Sequence, residues 1–198
     1  MNREEFFSKI EDKVSPEGLL LIQRAYWFAK NVHSWQERDD GDRYFEHPRR
    51  VVCTLIDLGI FDPETLALAF IHDCMEDGFT PSGVILTLFG PTIYNNLLIL
   101  SKKLPVFNEI TGRVISWAKR DTKEYFAGIA AASTMVRLVK LADRRDNVSD
   151  MESWKPDRVQ EYLAETAEYL LPIARQTNDW FVGEFERIMD KQERRLSA

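Results

Sequence analysis

The sequence predicts an all-α protein folded as a single-domain helical bundle. Hydrophobic residues recur at helical spacing along almost the whole chain, and no segment shows the apolar/polar alternation of a half-buried strand. Serine or aspartate followed by proline precedes two of the apolar segments, which is typical of helix starts. The chain has 198 residues, 44% of them hydrophobic, which is enough to bury one core. One domain over residues 1–198 is therefore expected.

Local signals place the helices of the first half. Ser15 is the expected N-cap and Pro16 the first residue of a helix that runs to about His33. Gly59 stands in the C-cap position of a later helix. The predicted helices are 1–14, 16–33, 47–58 and one that opens at Asp62-Pro63, with a polar loop over 36–46.

The second half is also predicted to be helical. A break at Gly90-Pro91 divides residues 81–100 into a short helix and a longer apolar one. Residues 101–119 show no decided pattern. Two long helices are expected at about 122–148 and 156–197, and the terminal helices should pack around the central ones.

Composition excludes several classes of protein. A net charge of -6 and a pI near 5.2 argue against a nucleic-acid binder that relies on a broad basic surface. Cys53 and Cys74 form neither a zinc motif nor a disulfide framework, so a reducing cytoplasm is expected. The N-terminus has no signal-peptide core and no uninterrupted apolar stretch approaches 18 residues, so no membrane partner is expected. A homodimer is left open.

The densest chemical feature is the six-residue run HDCMED that begins at His72. If it continues the preceding apolar helix, His72 and Glu76 form one strip and Asp73 and Asp77 form an adjacent one. The first pair is then placed to hold a cation and the second to face what the cation holds. The alternative is a solvated charged face. Because the run directly follows an apolar segment, unpaired carboxylates there would be costly, which favours a metal site.

Two further elements carry weaker signals. Asp143 and Asn147 share a helix face within the segment KLADRRDN, where the carboxylate could complete a metal-ligand set. The alternative is a helix end whose charges only cap and solvate it. His47 precedes Pro48 at a helix entry, and a lone histidine is more often structural than a ligand.

Together these segments resemble the HD-domain hydrolases of the RelA/SpoT class, in particular the small stand-alone alarmone hydrolases of the metazoan type. The order and spacing of four motifs carry the resemblance, which runs from about residue 20 to residue 162. The matching positions are His33, Gln36, Arg38, Gly41, Tyr44, His47 and Pro48, then 72–77 (HDxxED), 140–147 (KLADRxxN) and 158–162 (RVQEY).

The resemblance implies a metal centre and a reaction. The positions that match the family's metal ligands are His47, His72, Asp73 and Asp143. They would hold one divalent ion, typically Mn²⁺ in this family, although such donors also suit zinc, iron or cobalt. Glu76 and Asp77 match the pair that positions and activates the water. That water attacks the 3′-pyrophosphate of a guanosine alarmone, releasing pyrophosphate and GDP or GTP. His33 matches a position that is not a ligand.

The resemblance also implies substrate contacts. They are Arg38 at the base, Asn147 at the ribose, Lys102 at a phosphate, and Arg158 and Tyr162 at the phosphate and sugar region. Lys103 is an alternative to Lys102. A substrate with several phosphates, bound to a protein of net charge -6, needs the metal and converging cations such as Lys102, Arg144 and Arg158.

Three residues depart from the family pattern, and one of them is Trp35, which stands where the family often has a glycine. Asp39 stands where the family has a lysine beside the guanine, which weakens the expectation of a strict guanine preference. Asp146 replaces a common histidine or tyrosine before Asn147 and is expected to add negative charge near the mouth of the site.

Two alternative functions stay open. The first is an HD phosphohydrolase that acts on another nucleotide, such as ppApp or NADPH, which Asp39 favours. The second is a non-catalytic, metal-dependent nucleotide sensor, against which the presence of Glu76 and Asp77 speaks. The chain shows no synthetase region, so degradation rather than synthesis of an alarmone is expected.

Overall fold

A computed structural model describes residues 3–38, 41–76, 80–108, 111 and 114–196. Asp39 and Asp77, both singled out in the sequence, lie outside these ranges. The predicted all-α fold is confirmed, with one small hairpin added. The elements are α1 (Arg3–Ile10), α2 (Pro16–Val32), α3 (Glu46–Asp57), α4 (Pro63–Ile71), α5 (Ser82–Leu100), β1 (Lys103–Phe107), β2 (Val114–Lys119), α6 (Thr122–Ala131), α7 (Thr134–Ser149), α8 (Pro156–Glu165), a π-helical segment (Thr166–Leu170), α9 (Leu171–Arg175) and α10 (Asp179–Leu196).

The starts of α2 and α4 follow the predicted capping chemistry. The Ser15 hydroxyl accepts a hydrogen bond from the Gly18 N–H at 3.1 Å, and the Asp62 carboxylate accepts one from the Thr65 N–H at 2.8 Å. The two starts also touch, because a Cβ placed on Gly18 would lie 2.5 Å from Cγ of Pro63. The absence of a side chain at Gly18 lets the two helices approach this closely.

Helix α4 lies at the centre of the molecule. Every residue from Thr65 to Ile71 is buried. Helices α2, α3, α5 and α7 pack against it, and α3 also packs against α7. This arrangement brings the start of α3, the end of α4 and the polar stretch of α7 to one place, which is where the candidate site forms.

Both long helices predicted in the second half are interrupted. The first breaks at Ser133, whose hydroxyl accepts a hydrogen bond from Val136 N–H and starts a new helix. The second breaks at Asn178, whose side-chain oxygen accepts a hydrogen bond from Trp180 N–H. Its π-helical segment begins at Thr166, where the buried Arg144 guanidinium bonds the threonine hydroxyl. Side-chain capping bonds therefore override continuous helical periodicity.

Residues 103–119, which the sequence left undecided, contain an antiparallel hairpin. Lys103 pairs with Lys119, and the register shifts between Val106 and Phe107. Pro105 fits in β1 because each strand of a two-stranded sheet has an outer edge that needs no hydrogen-bond donor. Most of β2 is exposed, so there is no buried face to produce the alternation that identifies a strand from sequence.

Helix α5 is apolar along its length. By length and composition it could cross a membrane, although only 28% of the relevant window is buried in the fold. This is weak evidence for a span, because core helices of globular proteins meet the same test. The helix also breaks at Gly90, whose φ of 79° and ψ of 172° are not helical, where the sequence predicted the break.

Candidate metal centre and its cleft

Two histidines from different helices face each other at the centre of the candidate site. His47 lies in the first turn of α3 and His72 directly follows α4, and their Nε2 atoms are 3.2 Å apart. Each Nδ1 points away from the partner ring: that of His72 lies 2.8 Å from the Ala69 carbonyl, and that of His47 lies 2.7 Å from an Asp146 oxygen. With a proton on each Nδ1, both Nε2 atoms are left to bind a cation.

Two carboxylates complete the cluster. Oδ2 of Asp73 lies 3.5 Å from Nε2 of His47 and 3.2 Å from Nε2 of His72. Oδ1 of Asp143, from α7, lies 3.3 Å and 3.7 Å from the same two nitrogens. Donors bound about 2.1 Å from one ion are separated by about 3.0–3.4 Å when adjacent. The donor set therefore fits a divalent ion, with His47, His72 and Asp73 forming its most compact part.

The cluster holds charge in spite of its burial. Burial alone would lower the pKa of His72, but the Asp73 and Asp143 carboxylates outweigh it and hold the pKa well above its ordinary value. Burial alone would raise the pKa of Asp73, and the His72 imidazolium outweighs it in the other direction. The pKa of Asp143 is likewise low because Lys140 and the two imidazoles outweigh its burial. Without an ion, protons on the imidazoles balance the carboxylates.

Neighbouring side chains fix the orientation of both carboxylates. The Tyr44 hydroxyl donates to Oδ2 of Asp73 at 2.9 Å. The Lys140 ammonium donates to Oδ2 of Asp143 at 2.8 Å, and the Asn147 amide donates to its Oδ1 at 2.6 Å. Lys140 precedes Asp143 by three residues, so helical spacing alone could have indicated this pair.

Asp146 lies behind the cluster and not at its mouth, contrary to the expectation from sequence. Its side chain is only 4% exposed and accepts hydrogen bonds from His47 Nδ1 and from the Arg50 guanidinium at 2.7 Å. The reason is helical geometry: Asp146 and Asp143 are three residues apart, so both face α3. Sequence reasoning missed Arg50, because only the packing of α3 on α7 brings it to Asp146.

The side chains of His47, His72, Asp73 and Asp143 are called the metal cluster below. A cleft with a cavity volume of about 340 Å³ opens over it. It brings together the five residues that the sequence assigned as substrate contacts. These are Arg38, Lys102, Asn147, Arg158 and Tyr162. Glu76 and the four expected metal ligands line the same cleft. Lys140 and Trp154, to which the sequence analysis gave no role, also line it. No local sequence signal distinguished Trp154.

The HDCMED run does not continue the helix as predicted. Helix α4 ends at Ile71, and residues 72–76 form turns. His72 therefore pairs with its neighbour Asp73 at the cluster and not with Glu76. The Glu76 carboxylate instead accepts a hydrogen bond from the Lys103 N–H of the hairpin at 2.7 Å. In residues 72–76, the contact between Asp73 and the His72 imidazole and the bond from the hairpin to Glu76 take the place of helical hydrogen bonds.

The cations of the cleft also differ from expectation. Arg144, expected to face the substrate, is fully buried; it pairs with Glu165, and its guanidinium lies 3.8 Å from the Tyr162 ring centre. Lys102 lines the cleft, and its pKa is lowered by burial and by Lys140. Lys103 does not line it and contributes its backbone N–H to Glu76.

The expected substrate contacts already have protein partners. The Lys102 ammonium lies 3.5 Å from a Glu165 oxygen. The Arg38 guanidinium bonds Oδ1 of Asn147 at 3.0 Å and lies 3.6 Å from Asp150. The Asn147 amide nitrogen bonds Asp143. Arg158, at the rim, stacks its guanidinium 3.7 Å from the centre of the Trp154 ring.

Comparison with known proteins places these features in context. The model of the HD domain family matches residues 25–178. The chain is 32% identical over 169 residues to the guanosine-3′,5′-bis(diphosphate) 3′-pyrophosphohydrolase of Aquifex aeolicus, covering 84% of this chain and 23% of the relative. It is 29% identical over 165 residues to the bifunctional (p)ppGpp synthase/hydrolase SpoT of Escherichia coli, covering 83% and 23%. The chain thus spans less than a quarter of the length of these relatives.

A solved structure shares the fold. It is that of a metazoan ortholog of SpoT that hydrolyzes ppGpp, and it matches with a TM-score of 0.70 and 21% identity. The match covers 87% of this chain and 95% of the other. At this level of identity the likeness concerns the fold alone.

Proposed function

This chain belongs to the HD domain family, and we propose that it is a metal-dependent 3′-pyrophosphohydrolase of guanosine alarmones, which converts (p)ppGpp and water to pyrophosphate and GDP or GTP. The observation that carries the proposal is the joining of a four-donor metal cluster and several phosphate-binding cations in one cleft. The names of the relatives support it, because two of them are a ppGpp hydrolase and a synthase/hydrolase.

We propose that His47, His72, Asp73 and Asp143 hold one divalent ion, with Mn²⁺ as the physiological metal. A divalent ion at this position would lower the pKa of a coordinated water and offset phosphate charge. The mixture of imidazole and carboxylate donors is compatible with Mn²⁺ as it is with zinc, iron or cobalt, and the choice of Mn²⁺ rests on the resemblance to the RelA/SpoT class.

The reaction needs a water oxygen to attack the phosphorus that is attached to the ribose 3′ oxygen. That P–O bond breaks, pyrophosphate leaves, and the 3′ oxygen takes a proton. Glu76 would orient the water and accept its proton, since its carboxylate lines the cleft and is fixed by Lys103 N–H. Asp77 would share this task.

The remaining cleft residues would bind the substrate. Lys102 and Arg158 are suited to the phosphates, with Lys140 as a further cation between Lys102 and the cluster. Tyr162 is suited to the sugar region. Asn147 and Arg38 would reach the ribose and base only by exchanging the hydrogen bonds that now join them.

Because Arg38 is already bonded to the protein, a second candidate is favoured, the hydrolysis of ppApp or NADPH. The Arg38 guanidinium forms ion pairs with Asp150 and Asp146, which restrict its side chain. The next position holds Asp39, where the family has a lysine. Both features weaken guanine recognition in particular. With ppApp the bond broken would be the same, whereas with NADPH water would attack the 2′-phosphate, release inorganic phosphate and leave a 2′ hydroxyl.

The test is an assay of Mn²⁺-loaded protein with ppGpp, pppGpp, ppApp and NADPH in parallel. We expect pyrophosphate release from the guanosine compounds, with kcat reduced by about 10²–10⁴-fold in Glu76→Gln while Mn²⁺ binding is retained. Glu186→Gln makes the same substitution at an exposed position of α10. It is the matched control and should keep full activity. Turnover of only ppApp or NADPH would transfer the proposal to that substrate, and no turnover of any would favour a sensor.

We also propose that the described helices act as one hydrolase domain, which their single contiguous core supports. The two cysteines are unpaired, which supports a reducing cytoplasmic location.

A further inference from the structure

A second cavity, of about 520 Å³, lies between α1, α2 and the start of α3. This volume is within the range of about 300–1,000 Å³ that is usual for small-molecule sites. Four cationic side chains line it, together with one described carboxylate, that of Glu46. The cations are Arg3, Lys30, Arg43 and Arg49. We call this cavity the basic pocket.

The charge of the basic pocket contrasts with that of the whole protein. The lining carries an excess of three positive charges, whereas the chain has a net charge of -6. Glu46 pairs with Arg49, which leaves the other cations without its charge. Within the described parts of the chain, no carboxylate oxygen lies within ion-pair distance of Lys30 or Arg43. Arg3 has an exposed carboxylate partner, since its guanidinium lies 3.8 Å from Glu4. Lys30 and Arg43 therefore carry the uncompensated charge, and a bound anion would relieve the repulsion among these cations.

Aromatic contacts hold two of these cations in place. The Lys30 ammonium lies 5.1 Å from the centre of the Trp27 ring and 5.8 Å from that of Tyr26. The Arg3 guanidinium lies 5.6 Å from the same Trp27 ring. Cation–π contacts of this kind orient a cation without neutralising it. The pocket therefore has a preorganised positive wall before any ligand binds.

One lining residue connects the basic pocket to the metal cluster. His33 lines the pocket, and its ring stacks on that of Tyr44 with 4.5 Å between the centroids. The Tyr44 hydroxyl donates to the proposed ligand Asp73. Nδ1 and Nε2 of His33 lie 2.5 Å from Gln36 and 3.6 Å from Cys74, which fixes the ring. The Tyr44 ring thus lies between His33, which lines the pocket, and the proposed ligand Asp73.

We propose that the basic pocket is a second binding site, for a small anion that carries several phosphate groups. Guanidinium and ammonium groups match phosphate oxygens, and four cations suit a multiply charged ligand better than a single carboxylate. The pocket shares no lining residue with the catalytic cleft, so the site stands whether or not the proposed hydrolysis is correct.

The three histidines of the chain allow a direct test, because one lines the basic pocket and two belong to the metal cluster. In metal-free protein, the imidazole carbon–proton NMR signals are followed while inorganic tripolyphosphate is added. We expect a saturable shift of the His33 signal that is larger than those of His47 and His72. His33→Gln identifies the His33 signal.

Charge-reversal variants supply the control. Lys30→Glu/Arg43→Glu should weaken tripolyphosphate binding by at least about tenfold. Lys123→Glu/Arg175→Glu makes the same change of net charge at exposed positions of α6 and α9 and should leave binding unchanged. A parallel titration with ATP distinguishes a nucleotide ligand from an inorganic polyphosphate. If the basic pocket binds ATP more tightly than tripolyphosphate, its ligand is a nucleotide.

Four results would each overturn the proposal. One is the absence of a saturable His33 shift at millimolar tripolyphosphate, and another is a shift confined to His47 and His72, which would mean binding in the cleft. The third is equal binding by wild type and Lys30→Glu/Arg43→Glu. The fourth is an equal loss of binding in both double variants, which would show that only the net charge of the protein matters.

Discussion

His47 is oriented by a carboxylate that does not belong to the proposed ligand set. Asp146 accepts a hydrogen bond from Nδ1 of His47 and is itself held by the Arg50 guanidinium. Burial alone would raise the pKa of Asp146, but the bonds from His47 and Arg50 hold it below its ordinary value. A charged acceptor fixes the ring and makes Nε2 a stronger donor to a cation.

Asp146→Asn should therefore weaken divalent-metal binding by about 10–100-fold. The amide keeps the size of the side chain but removes the negative charge behind His47. Isothermal titration of metal-free protein with Mn²⁺ measures the effect. Asp12→Asn, at an exposed position in the turn after α1, is the matched control and should bind as the wild type does. Unchanged affinity in Asp146→Asn would show that Asp146 does not tune the ligand.

Metal affinity should rise with pH across the neutral range. The pKa values of His47 and His72 are raised in the metal-free protein, so both imidazoles keep their protons at a higher pH than free histidine does. Each proton must leave before Nε2 can bind an ion, and affinity is therefore lost as pH falls through these raised pKa values. Titrations in two buffers of different ionisation enthalpy measure the protons released. Metal uptake without proton release at neutral pH would contradict this assignment.

The same shifts have the opposite effect on the metal-free fold. A raised pKa in the folded state contributes stability that is complete below the ordinary pKa of histidine. That contribution is lost as pH rises through the folded value.

At the scale of elements, the approach of α2 to α4 depends on one glycine. A Cβ on Gly18 would lie 2.5 Å from Cγ of Pro63 and 3.1 Å from its Cβ, and a proline ring cannot rotate away. Since His72 directly follows the end of α4, a shift of α4 would also disturb the metal cluster.

Gly18→Ala should lower the free energy of unfolding by about 1–3 kcal/mol through overpacking. Urea denaturation measures the loss. Gly183→Ala is the matched control: Gly183 lies inside α10, no neighbouring element comes within 4 Å of the place that a Cβ would take, and alanine there should stabilise by about 0.5–1 kcal/mol. If both variants changed stability equally, the close approach of α2 and α4 would not be limiting.

The turn after α4 shows why one element was assigned wrongly. Helical spacing predicted that residues 72–77 extend the helix, because the preceding segment is apolar and helical. The described part of the run leaves the helix so that His72 and Asp73 both reach the cluster and Glu76 reaches the hairpin. The bonds that hold the run in this shape reach residues far away in the chain, such as Lys103, and periodicity does not contain them.

At the scale of the whole molecule, the metal cluster connects three helices. His47, His72 and Asp143 come from α3, the end of α4 and α7, which pack together at the core. An ion that binds only the folded arrangement stabilises the whole fold by mass action.

Mn²⁺ at about one hundred times its dissociation constant should stabilise the protein by about 2.7 kcal/mol. For a chain of this size that corresponds to a rise in Tm of about 5–10 °C. Differential scanning calorimetry with and without Mn²⁺ measures it. Asp73→Asn should lose most of the metal-induced rise, whatever its own Tm. An equal rise in wild type and Asp73→Asn would place the stabilising ion elsewhere.

The sequence by itself determined the fold class, several helix starts and the family, because these depend on local signals. Helical periodicity, the caps at Ser15 and Asp62 and the break at Gly90 each act over a few residues. The motif spacing also selected residues that the fold gathers in one cleft, and their individual roles stay predictions.

Only the tertiary structure decided which side chains meet. It moved Arg144 into the core and Asp146 behind His47, and it brought Lys140 into the cleft. It also formed the basic pocket from residues of α1, α2, the segment that leads into α3 and the start of α3. The physical reason is that burial, pairing of charges and the orientation of an imidazole depend on contacts between helices that are far apart in the chain.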